Sequence, residues 1–211
     1  MERTSITLVR HGETEWNVLR RLQGRQNSEL TPYGLEQAEM TSEALKNLDF
    51  DIIYTSDLKR AIITTEIINR YHNLEVKIDS ALSERNFGVM EGLTREVLQD
   101  KFPEVYSGYM ARKEDYQIPG GESLIEYTEK VRQSLQNIIR KYKGKRILII
   151  THGGVLDCIM RIIFNYPMSA PRSFSIYNAS INRISVKDDE WFLEVWGDIS
   201  HQKSKSLNLE I

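Results

Sequence analysis

Short apolar runs alternate with longer amphipathic segments along the chain. The runs cover residues 6–9, 52–54, 76–78 and 146–150. Each run is shorter than a typical helix and ends at polar residues, which is characteristic of strands. Residues 181–186 and 191–195 alternate apolar and polar side chains around Asp188 and Asp189, and this pattern predicts a β-hairpin near the end of the chain.

The longer segments have the periodicity of helices. They begin near Thr31, Leu58, Ser123 and Val155 and end near Leu48, Tyr71, Tyr142 and Phe164. Thr31 followed by Pro32 is typical of a helix N-terminus. Ser123 with Glu126 matches a capping box. Residues 103–121 are rich in tyrosine and charge, and we predict irregular structure or short helices there.

The alternation of strands and helices predicts an α/β fold. We expect three α/β/α layers, with a mostly parallel central sheet and helices on both of its faces. No repeat, low-complexity segment or Pro/Gly/Ser-rich linker interrupts the chain, so residues 1–211 are predicted to form a single domain. Ligands of such folds bind beyond the carboxyl ends of the strands.

Two histidines follow strand ends of this kind. His11 comes just after the run 6–9, His152 comes just after the run 146–150, and each is followed by glycine. If the two strands are neighbours, the two rings meet in one pocket. A glycine after each histidine would let a substrate approach and would point a backbone N–H at an anion. Arg10, at the first of these strand ends, also favours an anion.

Several motifs around these residues occur in a fixed order. The longer ones are LVRHGETEWN at 8–17, TSDLKRA at 55–61, LSE at 82–84 and THG at 151–153, and between them lie QG at 23–24, EG at 91–92 and GGES at 120–123. In order and spacing they resemble the histidine phosphatase superfamily, in its phosphoglycerate mutase-like branch. The resemblance covers the chain almost end to end and implies the phosphoglycerate mutase-like fold.

The resemblance also implies a role for each matching residue. His11 would be the nucleophile that receives the phosphoryl group as phosphohistidine, and Glu84 would protonate the leaving oxygen. Arg10, Arg60 and His152 would bind the phosphoryl group. The substrate-binding residues that line the pocket would be Asn17, Gln23, Gly24 and Gly153.

These residue types suit phosphoryl transfer without a metal ion, and we predict no metal site and no cofactor. Negative charge builds up on the phosphoryl oxygens, and arginine and histidine donors can supply the positive field that Mg²⁺ often supplies. The guanidinium groups of Arg10 and Arg60 would disfavour protonation of His11. The other ring nitrogen of His11 is expected to donate to a backbone carbonyl, with Gly12 one candidate.

The region after the LSE motif at 82–84 helps to distinguish a phosphatase from a mutase. Cofactor-dependent phosphoglycerate mutases of this family carry an insertion there, with arginines for a second phosphate and a carboxylate. Residues 94–121 contain only Arg95 and Arg112 as arginines and are rich in tyrosine. We therefore predict a phosphatase acting on small phosphate monoesters, with cofactor-dependent phosphoglycerate mutase as the alternative. GGES at 120–123 and YNAS at 177–180 resemble metal-independent phosphoserine phosphatases, which keeps phosphoserine among the candidate substrates.

A non-catalytic phosphoryl-binding module is a third class of function. Such a module would be expected to lack His11, Glu84 or a motif arginine, and all of these are present. The sequence also lacks the P-loop pattern of nucleotide-binding proteins.

Composition limits the partners. The 211 residues include 28 Lys+Arg and 30 Asp+Glu, a net charge of −2, which argues against a nucleic-acid partner. No apolar run reaches about 18 residues, so no membrane span is predicted. The single cysteine, Cys158, excludes an intrachain disulfide and, with the rest, favours a cytoplasmic location. We expect a small phosphate ester as the partner, and an exposed edge strand allows a homodimer.

Overall fold

The apolar runs form six strands of one sheet in the computed structural model, which describes residues 3–203. The strands are β1 Thr4–Arg10, β2 Ile52–Thr55, β3 Val76–Ile78, β4 Arg146–Thr151, β5 Ile181–Lys187 and β6 Glu190–Asp198. Their order across the sheet is β3-β2-β4-β1-β5-β6. Strand β1, from the start of the described chain, therefore lies inside the sheet next to β5, from near its end.

The amphipathic segments form the main helices. The helices are α1 Glu15–Val18, α2 Pro32–Leu45, α3 Lys59–Asn69, α4 Arg95–Lys101, α5 Pro103–Met110, α6 Leu124–Lys141 and α7 Gly153–Ile163. The predicted N-termini of helices α2 and α6 are confirmed. Thr31 accepts a hydrogen bond from the backbone N–H of Gly34, and Ser123 and Glu126 form a reciprocal capping box.

Strand direction changes at β1. The pairs β1–β4, β2–β4 and β2–β3 are parallel, whereas β1–β5 and β5–β6 are antiparallel. The predicted terminal hairpin is thus confirmed, and it is joined to the parallel part of the sheet through β1. This places the end of β1 beside the end of β4 and also beside the start of β5 (Val9 opposite Ile181).

Both faces of the sheet are covered by helices. Leu8 packs in a cluster with residues of α6 and α7, whereas its neighbour Val9 packs in a cluster with residues of α2 and α3. Ile149 and Ile150 of β4 divide between the same two clusters. Because successive strand side chains point to opposite faces, this division confirms the three-layer α/β/α arrangement.

The sequence pattern located some boundaries inexactly. The helix expected from about Val155 begins at Gly153, directly after His152, and the short helices α1 and α4 were not anticipated. Within 103–121 the structure forms α5, as the short-helix expectation allowed. Tyrosines of this region pack on a third apolar cluster around Met90. None of the helices formed by residues 3–203 is long and apolar enough to cross a membrane.

Candidate active site

The two strand-end histidines lie side by side. β1 and β4 are paired in parallel register, with Arg10 opposite Thr151, so His11 and His152 leave the sheet at the same edge. Their ring centroids are 5.1 Å apart, and both residues are almost completely buried. The expectation that the two strands are neighbours and bring the two rings together is confirmed.

The tautomer of His11 follows from one hydrogen bond. Its Nδ1 lies 2.8 Å from the carbonyl oxygen of Gly12, as anticipated. A carbonyl oxygen only accepts, so Nδ1 carries the hydrogen and Nε2 holds a lone pair. Burial lowers the pKa of His11 well below its ordinary value, and the charges of Arg60 and Arg10 lower it further. The ring is therefore neutral at physiological pH, with a lone pair on Nε2.

Two buried arginines, Arg10 and Arg60, are near enough for their charges to act on both rings. Nη1 of Arg10 donates to the carbonyl of Ile176, 3.1 Å away. Nη1 and Nη2 of Arg60 donate to the carbonyls of Gln26 and Gly24, each at 2.8 Å. Burial lowers the pKa of Arg60 to about 10, so this side chain remains charged at neutral pH. The buried Nε of Arg60 has no hydrogen-bonding partner among the described residues.

Glu84 is held against the start of α7. Its Oε2 accepts the backbone N–H of Gly154 at 3.0 Å, and its Oε1 accepts the backbone N–H of Arg85 at 2.9 Å. The hydroxyl of Tyr127 lies 3.3 Å from Oε1. A Cβ atom on Gly154 would lie 2.1 Å from Oε1, so only glycine leaves room for the carboxylate there.

The four residues predicted to line the pocket each make a different contact in the structure. The side-chain oxygen of Asn17 accepts from the backbone N–H and the hydroxyl of Thr14. Nε2 of Gln23 donates to the same hydroxyl at 2.6 Å, and its buried Oε1 has no partner among the described residues. Gly24 contributes its carbonyl to Arg60, as described above. A Cβ atom on Gly153 would lie 3.6 Å from the Arg10 guanidinium.

The expectation for Gly12 was wrong in one respect. Its backbone N–H does not point at an anion site but donates to Oγ1 of Thr64 at 3.2 Å. A Cβ atom on Gly12 would lie 2.3 Å from the carbonyl oxygen of Gly34 at the start of α2. The glycine is needed because the loop that carries His11 packs directly against the backbone of that helix.

Comparison with known proteins identifies the family. The family model for the histidine phosphatase superfamily (branch 1) matches residues 6–199. The chain belongs to the histidine phosphatase superfamily. Membership makes it an enzyme of the phosphomonoesterase and phosphoglycerate mutase-like kind.

Its relatives carry both kinds of name. The chain is 40% identical over 200 residues to the phosphoglycerate mutase-like protein 4 of Arabidopsis thaliana, covering 93% of this chain and 86% of that protein. It is 37% identical over 206 residues to a metal-independent phosphoserine phosphatase of the same plant, covering 96% and 85%. The solved structure of Bacillus stearothermophilus YhfR superposes with a TM-score of 0.87 at 31% identity, covering 94% of this chain and 98% of that one.

Sequence reasoning missed several residues that this histidine phosphatase places around the site. The side-chain nitrogen of Asn178 donates to the carbonyl of His11 at 3.1 Å, and the backbone N–H of Ala179 lies 3.2 Å from the same oxygen. Both precede β5, which runs antiparallel to β1, so the start of β5 lies at the edge of the sheet where β1 ends before His11. A rule based only on the carboxyl ends of parallel strands omits them.

Ser56 was also missed. Its hydroxyl oxygen lies 2.6 Å from Nε2 of His152. It lies directly after β2, the third parallel strand whose carboxyl end reaches this edge, so its position in the TSDLKRA motif was the available signal.

The histidine phosphatase site is rich in nitrogen donors. Within residues 3–203, no three or more His, Cys, Asp or Glu side chains are grouped so that they could hold a metal ion. The charges of Arg10 and Arg60 instead act on both His11 and His152, and the charge of Glu84 acts on Arg60, a set of groups whose donors suit an anion.

Proposed function

We propose that this enzyme is a metal-independent phosphatase that hydrolyses small phosphate monoesters through a phosphohistidine on His11, with Glu84 as the proton donor. One observation carries the proposal. The Nδ1 hydrogen of His11 is held by the Gly12 carbonyl, which leaves a neutral Nε2 lone pair beside Arg10 and Arg60. A neutral nucleophile next to fixed positive charge is what transfer of a phosphoryl dianion requires.

The first step transfers the phosphoryl group to the enzyme. Nε2 of His11 forms a bond to phosphorus while the bond from phosphorus to the ester oxygen breaks. Glu84 gives its proton to that oxygen, and the alcohol leaves as a neutral molecule. Arg10, Arg60 and His152 hold the three remaining phosphoryl oxygens as charge develops on them.

The second step returns the enzyme to its starting state. Glu84, now a carboxylate, takes a proton from a water molecule as the water oxygen attacks phosphorus. The bond between phosphorus and Nε2 of His11 breaks, inorganic phosphate leaves, and Glu84 holds a proton again. One water is consumed per ester, and each group recovers its original protonation.

The surroundings of the site favour hydrolysis over mutase activity. Arg112, one of the two arginines in 94–121, donates from Nη2 to the carbonyl of Met168 at 2.8 Å. It is thus engaged in holding a loop. The tyrosines of the same segment pack on an apolar cluster, and this arrangement favours monoesters over doubly phosphorylated substrates. Phosphoserine is a substrate to test first, because a relative 37% identical is named for it.

Phosphoryl labelling tests the nucleophile. Incubation with a ³²P-labelled monoester and rapid quenching should leave an acid-labile, alkali-stable label on the wild-type chain and none on His11→Ala. His72→Ala is the matched control, because His72 packs edge-on against Phe50 at 5.1 Å and is not one of the proposed site residues. Retained label on His11→Ala would place the nucleophile elsewhere.

A substrate panel tests the reaction. Phosphate release from phosphoserine and other monoesters is compared with isomerisation of 3-phosphoglycerate in the presence of 2,3-bisphosphoglycerate. Phosphate release from the preferred monoester should be faster than isomerisation of 3-phosphoglycerate. Faster isomerisation would assign the enzyme to the mutases instead.

A further inference from the structure

Ser56 is a fully buried hydroxyl that the catalytic scheme above does not use. It follows β2 directly, and its Oγ lies 2.6 Å from Nε2 of His152. The backbone N–H of Leu58 donates to the same Oγ at 3.3 Å. These are the two hydrogen-bonding partners of Ser56 Oγ in the described part of the chain.

The direction of the Ser56 hydrogen bond can be derived from these partners. The Leu58 N–H can only donate, so it cannot accept the hydroxyl hydrogen of Ser56. Buried hydroxyls are rarely left without an acceptor. The hydrogen must therefore point to Nε2 of His152, which holds a lone pair. In a neutral imidazole the ring hydrogen is then on Nδ1.

The other side of the His152 ring supports this assignment. Nδ1 is buried and has no hydrogen-bonding partner among the described residues. The titratable and charged groups that act on the ring are Arg60 of α3, His11, which follows β1, Arg10 at the end of β1, and Arg25 of the loop before α2. The carboxylate of Glu84 binds the backbone of Gly154, two residues after His152. Burial lowers the pKa of His152 well below its ordinary value, with Arg60 the largest charge effect, so the ring is neutral.

We propose that Ser56 is a positioning residue that fixes His152 as its neutral Nδ1–H tautomer, so that Nδ1 donates a hydrogen bond to a phosphoryl oxygen. The proposal rests on the function proposed above. With this tautomer, His152 is a neutral hydrogen-bond donor, and the arginines carry all the positive charge of the pocket. An N–H that lacks a partner in the protein gains one when the anion binds.

Loss of the Ser56 hydroxyl would remove the constraint on the ring. The hydrogen of His152 could then move to Nε2, which would turn the Nδ1 lone pair toward the phosphoryl oxygens. A lone pair and an anionic oxygen repel each other, so binding would weaken most where charge is greatest, in the transition state.

Nitrogen-15 NMR tests the tautomer directly in the wild-type protein. Imidazole ¹⁵N–¹H correlation spectra separate a protonated ring nitrogen from one with a lone pair, and loss of a signal in His152→Asn assigns it. We expect Nδ1–H and an unprotonated Nε2 in His152 from pH 8 to pH 6. An Nε2–H tautomer, or a doubly protonated ring near neutral pH, would overturn the proposal.

Variants of Ser56 test its effect on the reaction. Ser56→Ala should shift His152 toward the Nε2–H tautomer and lower kcat by about 10-fold or more, less than the roughly 100-fold loss typical when a donor is removed altogether. Ser56→Thr, which keeps a hydroxyl, should retain the tautomer and restore most of kcat. Thr65→Val is the matched control: it deletes a buried hydroxyl that bonds Thr55 at 2.9 Å and does not touch His152.

The two readouts separate this inference from the proposed function. If Ser56→Ala leaves both the tautomer and kcat as in the wild type, the positioning role is wrong even though His11 is phosphorylated. If His11 takes no label while His152 holds the Nδ1–H tautomer only when Ser56 is present, the phosphatase mechanism fails and the hydrogen-bond assignment stands. If Ser56→Ala does not fold, the wild-type spectrum and Ser56→Thr still decide the question.

Discussion

The carboxylate of Glu84 lies against the first turn of α7, with Oε2 3.0 Å from the backbone nitrogen of Gly154. This contact aligns the proposed acid with the same strand end that carries His152, although the two residues are far apart in sequence. The donor is a backbone group, so a substitution of Gly154 can disturb the bond only through the space that the new side chain occupies.

Glu84→Gln should separate substrates by leaving group. A general acid contributes about 100- to 10,000-fold when the leaving oxygen needs a proton. We therefore expect a large loss of kcat/KM with phosphoserine and a much smaller one with p-nitrophenyl phosphate, whose phenolate leaves without protonation. Steady-state kinetics on the two esters measures the difference, and an equal loss on both would remove the acid role.

Gly154→Ala should reproduce this selectivity without changing any catalytic side chain. The added Cβ would lie 2.1 Å from Oε1 of Glu84 and 2.9 Å from the hydroxyl of Tyr127, so the carboxylate must move. We expect the variant to lose activity mainly on esters with poor leaving groups. A thermal unfolding midpoint close to the wild type would show that the fold is retained, and unchanged kinetics on phosphoserine would contradict the prediction.

Arg60 should determine the pH at which kcat/KM begins to fall on acidification. Its charge is the largest electrostatic cause of the lowered pKa of His11, so removing it raises that pKa toward its ordinary value. In Arg60→Gln, kcat/KM should fall about 100-fold or more and should begin to decline at a higher pH on acidification, because more His11 is protonated. Arg60→Lys keeps the charge, so its kcat/KM should begin to decline at the same pH as in the wild type. The pH profiles of all variants are measured with one substrate, so the ionisation of the substrate phosphate affects them equally.

Folding stability should fall on mild acidification. His11 and His152 are held neutral in the folded state, since their pKa values lie well below the ordinary value. Below about pH 6.5 the unfolded histidines bind protons that the folded ones do not, so stability is present above that pH and is lost below it. Each contributes up to about 1.4 kcal/mol per pH unit.

Urea unfolding between pH 7 and pH 5 measures this dependence. His11→Gln and His152→Gln should each reduce the slope of the unfolding free energy against pH by about one proton. A wild-type protein equally stable at both pH values would mean that the two rings are protonated when folded.

Chelation should leave phosphatase activity intact. The proposed field comes from Arg10 and Arg60, and the described residues do not assemble three metal-ligating side chains. Phosphate release measured after dialysis against excess EDTA should match the untreated enzyme. Activity that disappears and returns with added Mg²⁺ or Zn²⁺ would show that a metal takes part.

The sequence correctly predicts how the residues that follow parallel strands β1 and β4 are placed. Strand ends are marked by apolar runs that stop at polar residues, so the sequence alone predicts that His11 and His152 lie together. Even the Gly12 carbonyl as partner of the His11 ring was within reach, because a neighbouring backbone carbonyl is a common partner of a histidine Nδ1.

Other contacts depend on geometry that the pattern does not encode. Gly12 follows the nucleophile, which suggested an anion-binding N–H, yet its hydrogen bond to Thr64 and its contact with Gly34 come from the packing of α2 and α3. Asn178 was not assigned a role because the hairpin pattern shows that β5 and β6 pair but not that β5 lies beside β1. Tertiary pairing decides both cases.

The antiparallel pairing of β5 with β1 has a consequence for protein synthesis. The carbonyl of Ile176 accepts from Arg10, and Asn178 and Ala179 donate to the carbonyl of His11, so the segment around residue 10 is held by residues synthesised well over a hundred positions later. A nascent chain that ends before these residues contains the proposed nucleophile but lacks the groups that hold it. Phosphoryl-transfer capacity should therefore arise only once the hairpin of β5 and β6 has paired with β1.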